Sequence, residues 1–259
     1  MGEVLVDEPA DDVVRLTISN PEKRNALDHE ILDRLAELLT GLDARCVILT
    51  GTQGMFSSGY DIGEIPDDVF AEEAEKLVAH PFTAAIQALD AYPYATVAAL
   101  SGHAIGGGLE LAISCDLRIA REGILLGMPP AKLGLVYSHT GLRKFLSAIG
   151  EPRTRELFLL GRNVDARTAL SWGLVNDVVG EHELAETALD VAAELAANAP
   201  LSISGNKRVL RELLAAGAAL DPDVERELIA LRRACFQSED LREGVRAFAQ
   251  KRPARWKGR

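Results

Sequence analysis

Three consecutive glycines at positions 106–108 separate two apolar segments in the stretch LSGHAIGGGLELAISCD, residues 100–116. The run before them, ATVAALSG, predicts a buried strand, and GGGLELAIS predicts a helix. Backbone N–H groups at a helix start have no acceptor within the helix and carry partial positive charge. Since glycine lets another group approach the backbone closely, the motif indicates an anion or oxyanion site, or else tight packing of helix on strand.

A second loop rich in glycine and serine, FSSGYDIGEI at residues 56–65, also follows an apolar strand, CVILTG. Two such loops at the ends of neighbouring strands would direct two backbone N–H groups at one point, which is how an oxyanion hole is built. Neither loop has the G-x-G-x-x-G pattern, so a dinucleotide site of the Rossmann type is disfavoured.

The order of predicted elements indicates an α/β fold with a largely buried sheet. We predict strands at VVRLTIS, RCVILTG, ATVAALSG, DLRIA and LVNDVV, and a loop over residues 52–68. Asp28 is a candidate N-cap for a helix ending at Leu39. Further helices are predicted over residues 69–79, 82–91, 106–114, 142–149, 153–160, 166–172, 183–197, 201–214, 224–236 and 238–251.

The C-terminal third is predicted to be helical, with apolar faces and no sheet to cover. Such helices often pack against a neighbouring subunit, so we divide the chain into a core at 1–199 and an oligomerisation region at 200–259. From Arg242 onward the chain has seven Lys or Arg residues against one Glu. This tail is either a solvated helix end or a local site for an anion.

Charge and cysteine content disfavour several classes of binding surface and structural site. With 259 residues and a net charge of -11, the chain suits one large domain and disfavours a broad surface for nucleic acid or anionic membrane. Cys46, Cys115 and Cys235 fit neither a zinc site nor a disulfide framework, so we expect reduced thiols, no metal and a cytoplasmic protein. We see no signal peptide and no apolar run long enough to span a bilayer.

Four stretches together resemble the enoyl-CoA hydratase/isomerase (crotonase) superfamily, over about residues 4–257: NPEKRNALD, GMFSSGYDIGEI, ALSGHAIGGGLELAISCDLRIA and GRNVDARTALSWGLVNDVV. The resemblance implies a spiral of ββα repeats with a C-terminal helical region that forms trimers or dimers of trimers. It also implies an acyl-CoA substrate, with no cofactor beyond the coenzyme A of that substrate.

The resemblance assigns an oxyanion hole to the backbone N–H groups of Tyr60 and Gly107, which would hold the oxygen of a thioester enolate. Each donor in such a hole is worth roughly 3 kcal/mol in the transition state. Contacts with coenzyme A are implied for Lys23, Arg24, Ala26, Ser58, Asp61, Ile62, Gly63 and Lys251.

Hydratases of this family typically use two glutamates around one water. The first matches Glu110, whereas the second falls at Pro130, which has no ionisable group. The remaining polar side chains expected near the site are those of Tyr137, Ser138 and His139. Simple hydration or isomerisation is therefore disfavoured.

Two further stretches, PPAKLGLVYSHTGL and LRRACFQSEDLREGVRAFAQKR, are similar to the methylmalonyl-CoA decarboxylases of this family. There a tyrosine at the place of Tyr137 meets the departing carboxylate, and the glutamate at Glu110 is retained. This chain departs from them at Tyr60, where they have a histidine. We predict decarboxylation of methylmalonyl-CoA or a similar 2-carboxyacyl-CoA. Three alternatives stay open: an enoyl-CoA hydratase or isomerase of fatty-acid or secondary metabolism, an acyl-CoA hydrolase, and a non-catalytic RNA-binding homologue.

Overall fold

The computed structural model describes residues 2–52, 54–61, 81–216 and 222–257. Its strands are β1 (Glu3–Ala10), β2 (Val13–Ser19), β3 (Cys46–Gly51), β4 (Met55–Ser57), β5 (Ala95–Leu100), β6 (His103–Ile105), β7 (Leu117–Arg121), β8 (Leu125–Gly127), β9 (Val164–Asp165) and β10 (Asp177–Val179). Six of them form one sheet in the order β1-β2-β3-β5-β7-β10. Within it β1 is antiparallel to β2, and the other neighbours are parallel.

A second sheet has the order β4-β6-β8-β9, with β4, β6 and β8 parallel. Each long strand β3, β5 and β7 is followed at once by a short strand of this second sheet, which produces a repeated ββα unit. The prediction of a loop throughout residues 52–68 is wrong at β4. This three-residue strand pairs with β6, but the glycine and serine residues around it are typical of a loop.

The described helices are α1 (His29–Gly41), α2 (Thr83–Ala91), α3 (Gly107–Ile113), α4 (Pro130–Leu133), α5 (His139–Arg155), α6 (Ala166–Trp172), α7 (Leu184–Ala197), α8 (Pro200–Ala216), α9 (Pro222–Phe236) and α10 (Glu239–Ala249). Asp28 caps α1 as predicted, since its Oδ1 accepts a hydrogen bond of 2.9 Å from the N–H of Ile31. The predicted break after residue 149 is a kink at Gly150, where φ is +69°. The helix predicted over residues 69–79 lies outside the described residues.

Both faces of the large sheet are covered, so alternate residues of each central strand enter different cores. On β3, Val47 and Leu49 face the core that contains α1, whereas Cys46 and Ile48 face α7. The prediction that the C-terminal helices have no sheet to cover is therefore wrong for α7. Small residues at helical spacing bring this helix close to the sheet: Ala188, Ala192 and Ala196.

The last three helices all fall within residues 200–259. Helix α10 packs closely on α4, because a Cβ on Gly244 would lie 2.2 Å from the Leu133 carbonyl oxygen. Helix α8 instead presents exposed leucines, including Leu201 at 87% exposure. The division of the chain at residue 200 stays a prediction. Among the described helices, none has the length and apolarity needed to cross a membrane.

Candidate active site

Two backbone segments meet where β4 and β6 end. A Cβ on Gly59, whose φ is +93°, would lie 2.9 Å from the Ile105 carbonyl oxygen and 3.2 Å from the Gly107 nitrogen. Beside this contact, Leu27 donates its N–H to the Gly59 oxygen at 2.7 Å, and Asp61 donates to the Leu27 oxygen at 3.0 Å. These two bonds flank Tyr60, so the Tyr60 N–H points away from Leu27.

The three glycines serve close packing and leave an N–H group free. Gly106 has a φ of +56°, which favours glycine. A Cβ on Gly107 would lie 2.9 Å from Cε1 of Tyr60, and a Cβ on Gly108 would lie 2.6 Å from the Ser57 oxygen. Gly107 is the first residue of α3. Within the part of the chain that the structure describes, the N–H groups of Tyr60 and Gly107 donate to no protein acceptor.

Glu110 lies one turn into α3, and its side chain is only 4% exposed. Its Oε2 accepts a hydrogen bond from the Tyr137 hydroxyl. Burial raises the pKa of Glu110 to about 7, although the Tyr137 hydrogen bond and the charge of Lys144 oppose the rise. A carboxyl group with this pKa exchanges a proton near neutral pH, which suits general acid–base chemistry.

The hydroxyl of Tyr60 lies in the same buried environment as Tyr137 and Glu110. Burial together with the charge of Glu110 raises the pKa of both phenols well above the ordinary value. The ring of Tyr60 lies edge-on to Phe82, with centroids 4.8 Å apart, and that of Tyr137 lies edge-on to Phe158 at 5.4 Å. Both phenols are therefore protonated and held in place.

A hydrogen bond before Tyr137 and a glycine after it fix the path of the chain at this residue. Pro130 is buried at the start of α4, and its carbonyl oxygen accepts a hydrogen bond of 2.9 Å from Leu135. After the turn, a Cβ on Gly141 would lie 2.7 Å from both Oε1 of Glu110 and Cε1 of Tyr137. Glycine at this position therefore lets the Tyr137–Glu110 contact form.

Ser138 and His139, both expected near the site, have different positions. The Ser138 hydroxyl caps α5 by accepting the N–H of Gly141 at 3.1 Å, and it lies near Glu110, because a Cβ on Gly141 would be 2.9 Å from Oγ of Ser138 and 2.7 Å from Oε1 of Glu110. His139 Nε2 instead lies 3.2 Å from Oε1 of Glu225, a half-exposed residue of α9.

Five residues predicted to contact coenzyme A lie together. Lys23 Nζ is 2.9 Å from Oδ2 of Asp61. Ser58 donates its hydroxyl to the Lys23 oxygen at 3.2 Å and its N–H to the Arg24 oxygen at 3.1 Å. Ala26 is buried beside them, whereas the Arg24 side chain is exposed. A cationic surface therefore borders the loop that carries Tyr60.

Of the other three residues of that set, the described part of the chain includes Lys251 alone. Ile62 and Gly63 lie outside the described residues. Lys251 follows α10 with an exposed side chain, and its N–H donates to the Phe248 oxygen at 3.1 Å. Among the contacts of the described residues, none joins Lys251 to Lys23 or Asp61 within one chain.

Asn25 is a structural residue of the site that the sequence analysis gave no role. It is buried with a φ of +53°, a conformation that asparagine tolerates. Its Nδ2 donates to the carbonyl oxygens of Thr52 and Met55 at 2.9 and 2.7 Å. Asn25 thereby fixes the Lys23 loop to the β3–β4 turn, and its place in the motif NPEKRNALD was the available signal.

Helix α9 also reaches the site, which the sequence analysis did not predict. The Cys235 thiol donates to the Gly134 oxygen at 2.8 Å and accepts the N–H of Val136 at 3.2 Å. Phe236 is buried, and Tyr60 and Leu135 pack against it. The apolar pair at the end of α9 was the signal in the sequence, but it does not reveal its partners.

The chain is similar to known proteins over nearly its whole length. Residues 8–259 match the family model described as enoyl-CoA hydratase/isomerase. The Bacillus subtilis (strain 168) protein YngF, named as an enoyl-CoA hydratase/isomerase, is 35% identical over 255 residues, 94% of each chain. The 2,3-dehydroadipyl-CoA hydratase of Escherichia coli (strain K12) is 30% identical over 263 residues, 100% of each chain.

Among solved structures, a methylmalonyl-CoA decarboxylase complexed with 2S-carboxypropyl CoA superposes with a TM-score of 0.90. It is 29% identical, and the match covers 99% of this chain and 98% of that one. The family resemblance and the α/β crotonase fold predicted from the sequence are both confirmed.

Proposed function

The chain belongs to the enoyl-CoA hydratase/isomerase family, and from this premise we propose that it decarboxylates methylmalonyl-CoA or a similar 2-carboxyacyl-CoA. The observation that carries the proposal is the pairing of Tyr137 with Glu110, together with a buried proline at position 130. In typical hydratases the position of Pro130 holds a second glutamate. Proline cannot act as an acid or base, whereas Tyr137 supplies a neutral donor next to the acyl position.

Decarboxylation matches this set of groups because it needs no base to start. The bond between the α-carbon and the carboxylate breaks, its electron pair forms a thioester enolate, and carbon dioxide leaves. The backbone N–H groups of Tyr60 and Gly107 hold the negative enolate oxygen. A proton, ultimately from water, then reaches the α-carbon to give the shorter acyl-CoA, and no further cofactor takes part.

Tyr137 and Glu110 have different roles in this proposal. When Glu110 is protonated, its O–H donates to the Tyr137 oxygen, and the single Tyr137 hydrogen turns to the substrate carboxylate. This hydrogen bond orients the carboxylate out of the thioester plane, where the breaking bond overlaps the carbonyl π system. Glu110, with a pKa of about 7, anchors Tyr137 and supplies the proton for the enolate. The second phenol, Tyr60, fills the place of the histidine found in decarboxylases of this kind.

A second candidate is hydration of an enoyl-CoA. It is supported by the relatives named as hydratases and by the pKa of Glu110, which suits a single residue acting as both acid and base. In this reaction Glu110 removes a proton from water, the hydroxide adds to the β-carbon to give a thioester enolate, and Glu110 returns the proton to the α-carbon.

Mass spectrometry of the thioesters distinguishes the two candidates. Purified protein is incubated separately with methylmalonyl-CoA, ethylmalonyl-CoA, malonyl-CoA and crotonyl-CoA. We expect loss of carbon dioxide from a malonyl-type substrate, with crotonyl-CoA unchanged. Hydration of crotonyl-CoA at tens of turnovers per second, an ordinary enzymatic rate, would refute the decarboxylase proposal in favour of the second candidate.

The proposal also includes the coenzyme A contacts and the oligomeric state. Lys23, Arg24, Ala26, Ser58, Asp61, Ile62, Gly63 and Lys251 bind the coenzyme A portion. The chain forms a homotrimer or a dimer of trimers through its C-terminal helices. The exposed leucines of α8 support this assembly, because an apolar helix face of this kind is costly in water.

A further inference from the structure

Helix α9 is fixed along the candidate site by contacts at both of its ends. Near its start, Glu225 meets His139 at 3.2 Å, and at its end Phe236 packs with Tyr60. Positions 225, 232 and 236 are separated by seven and four residues, so they lie on one face of the helix. Arg232 therefore shares the face that is directed toward the site.

The guanidinium of Arg232 lies over the ring of Phe236, 5.6 Å from its centroid. Phe236 in turn packs with Tyr60, so Arg232 and Tyr60 both contact the same aromatic ring. The charge of Arg232 acts on the site, because it lowers the pKa of both Tyr60 and Glu110 against the larger effect of burial.

Arg232 has no counterion among the residues that the structure describes, whereas Arg226, on the same helix, is paired with Asp223. The Arg232 side chain is nevertheless half-buried. A partly desolvated cation without an ion pair is unfavourable unless an anion joins it, and the planar guanidinium suits a carboxylate. Its contact with Phe236, which packs with Tyr60, places that charge at the acyl end of the site.

We propose that Arg232 binds a free carboxylate on the acyl group, so that the site selects acyl-CoA thioesters that carry a second negative charge. The inference rests on the proposed function, because it places the acyl group between Tyr60 and Tyr137. Arg232 would act on binding of the ground state. A carboxylate held by a cation loses that attraction as carbon dioxide forms, so Arg232 lowers KM and kcat together and leaves kcat/KM nearly unchanged.

The test compares two unreactive thioethers that differ in one group. 2-Carboxypropyl-CoA carries the carboxylate, and isobutyl-CoA has a methyl group in its place. Dissociation constants are measured by calorimetry for the wild-type protein, Arg232→Gln, Arg232→Lys and the control Arg226→Gln, at one ionic strength. Isobutyl-CoA also serves as the folding control, since its binding does not need the carboxylate contact.

We expect the wild-type protein to prefer the carboxylated ligand, and Arg232→Gln to bind it roughly 10- to 100-fold more weakly while isobutyl-CoA binding is unchanged. Arg232→Lys should recover part of the loss, and Arg226→Gln should match the wild type. Equal weakening of both ligands would assign Arg232 to the coenzyme A portion and overturn the inference. If the wild-type protein bound both ligands equally well, the inference would also be overturned, but the proposal of an acyl-CoA site would still be supported. If the wild-type protein binds neither ligand, the proposed function itself fails.

Discussion

The hydroxyl of Tyr137 donates a hydrogen bond to Oε2 of Glu110, a carboxyl group 27 positions earlier in the chain and 4% exposed. The contact joins the α4–α5 turn to the buried helix α3. It couples the orientation of the phenol to the protonation of the carboxyl, because the same bond opposes the rise in the pKa of Glu110.

Replacing Tyr137 by phenylalanine tests this coupling. Since Tyr137→Phe removes a donor that favours the charged carboxylate, the pKa of Glu110 should rise above its value of about 7. We expect kcat for decarboxylation to fall by roughly 10- to 1,000-fold, in line with the loss of one oriented donor. The pH dependence of kcat/KM measures both effects. An unchanged rate together with an unchanged profile would remove Tyr137 from the mechanism.

The free energy of unfolding should depend on pH because the buried carboxyl of Glu110 has a raised pKa. With a pKa raised from 4.5 to about 7, Glu110 holds a proton in the folded state where the unfolded chain has lost it. The free energy of unfolding therefore falls as pH rises between these values, by up to about 3 kcal/mol. Glu110→Gln should remove this loss, so its stability relative to the wild type should increase from pH 5 to pH 8.

Urea unfolding at both pH values, at one protein concentration, measures the difference. The matched control is Glu194→Gln, which changes an exposed glutamate on α7. It should follow the wild type at both pH values. If the free energies of unfolding of the wild type and Glu110→Gln differed by the same amount at pH 5 and pH 8, the raised pKa of Glu110 would be contradicted.

Gly141 is predicted to control the Tyr137–Glu110 contact through space alone. An alanine Cβ there would lie 2.7 Å from both side chains, so one of them must move. Gly141→Ala should cost about 1–3 kcal/mol of stability and lower kcat at least as much as Tyr137→Phe does. Gly41→Ala is the control, because a Cβ at Gly41 meets nothing within 4 Å. Full activity in Gly141→Ala would show that the contact is not required.

The Lys23–Asp61 pair gives opposite predictions for its two members. If Lys23 meets a phosphate of coenzyme A, Lys23→Gln should raise KM several-fold at constant kcat. Asp61→Asn should lower KM, because it frees the Lys23 ammonium from a competing carboxylate at 2.9 Å. Steady-state kinetics at low and high salt checks both variants. A rise in KM for Asp61→Asn would instead show that the ion pair itself supports the site.

The exposed face of α8 predicts the oligomeric state. Leu210 and Leu213 are 60% and 67% exposed in the single chain. The double substitution Leu210→Glu/Leu213→Glu should convert a trimer into monomers, as measured by light scattering after size exclusion. Leu159→Glu, which alters a leucine that is 69% exposed in another part of the fold, should keep the trimer. A monomeric wild-type protein would refute the assembly directly.

Local patterns in the sequence were enough to predict much of the fold. Asp28 with its helix and the alternating strand at Val13–Ser19 were found because caps and periodicity depend on near neighbours. The short strands of the second sheet were missed, since two or three residues give too little periodicity. Helix α7 was misjudged because its alanines show their purpose only against the sheet.

The sequence by itself determined the family, the fold and the two glycine-rich loops that meet beside Tyr60 and Gly107. Tertiary structure decided which side chains join them. Tyr137 meets Glu110, Arg232 approaches from α9, and His139 turns to Glu225. The pKa of Glu110 likewise depends on burial by elements far apart in the chain. These relationships arise from side-chain direction and packing across distant elements, and such contacts leave no regular spacing in a single sequence.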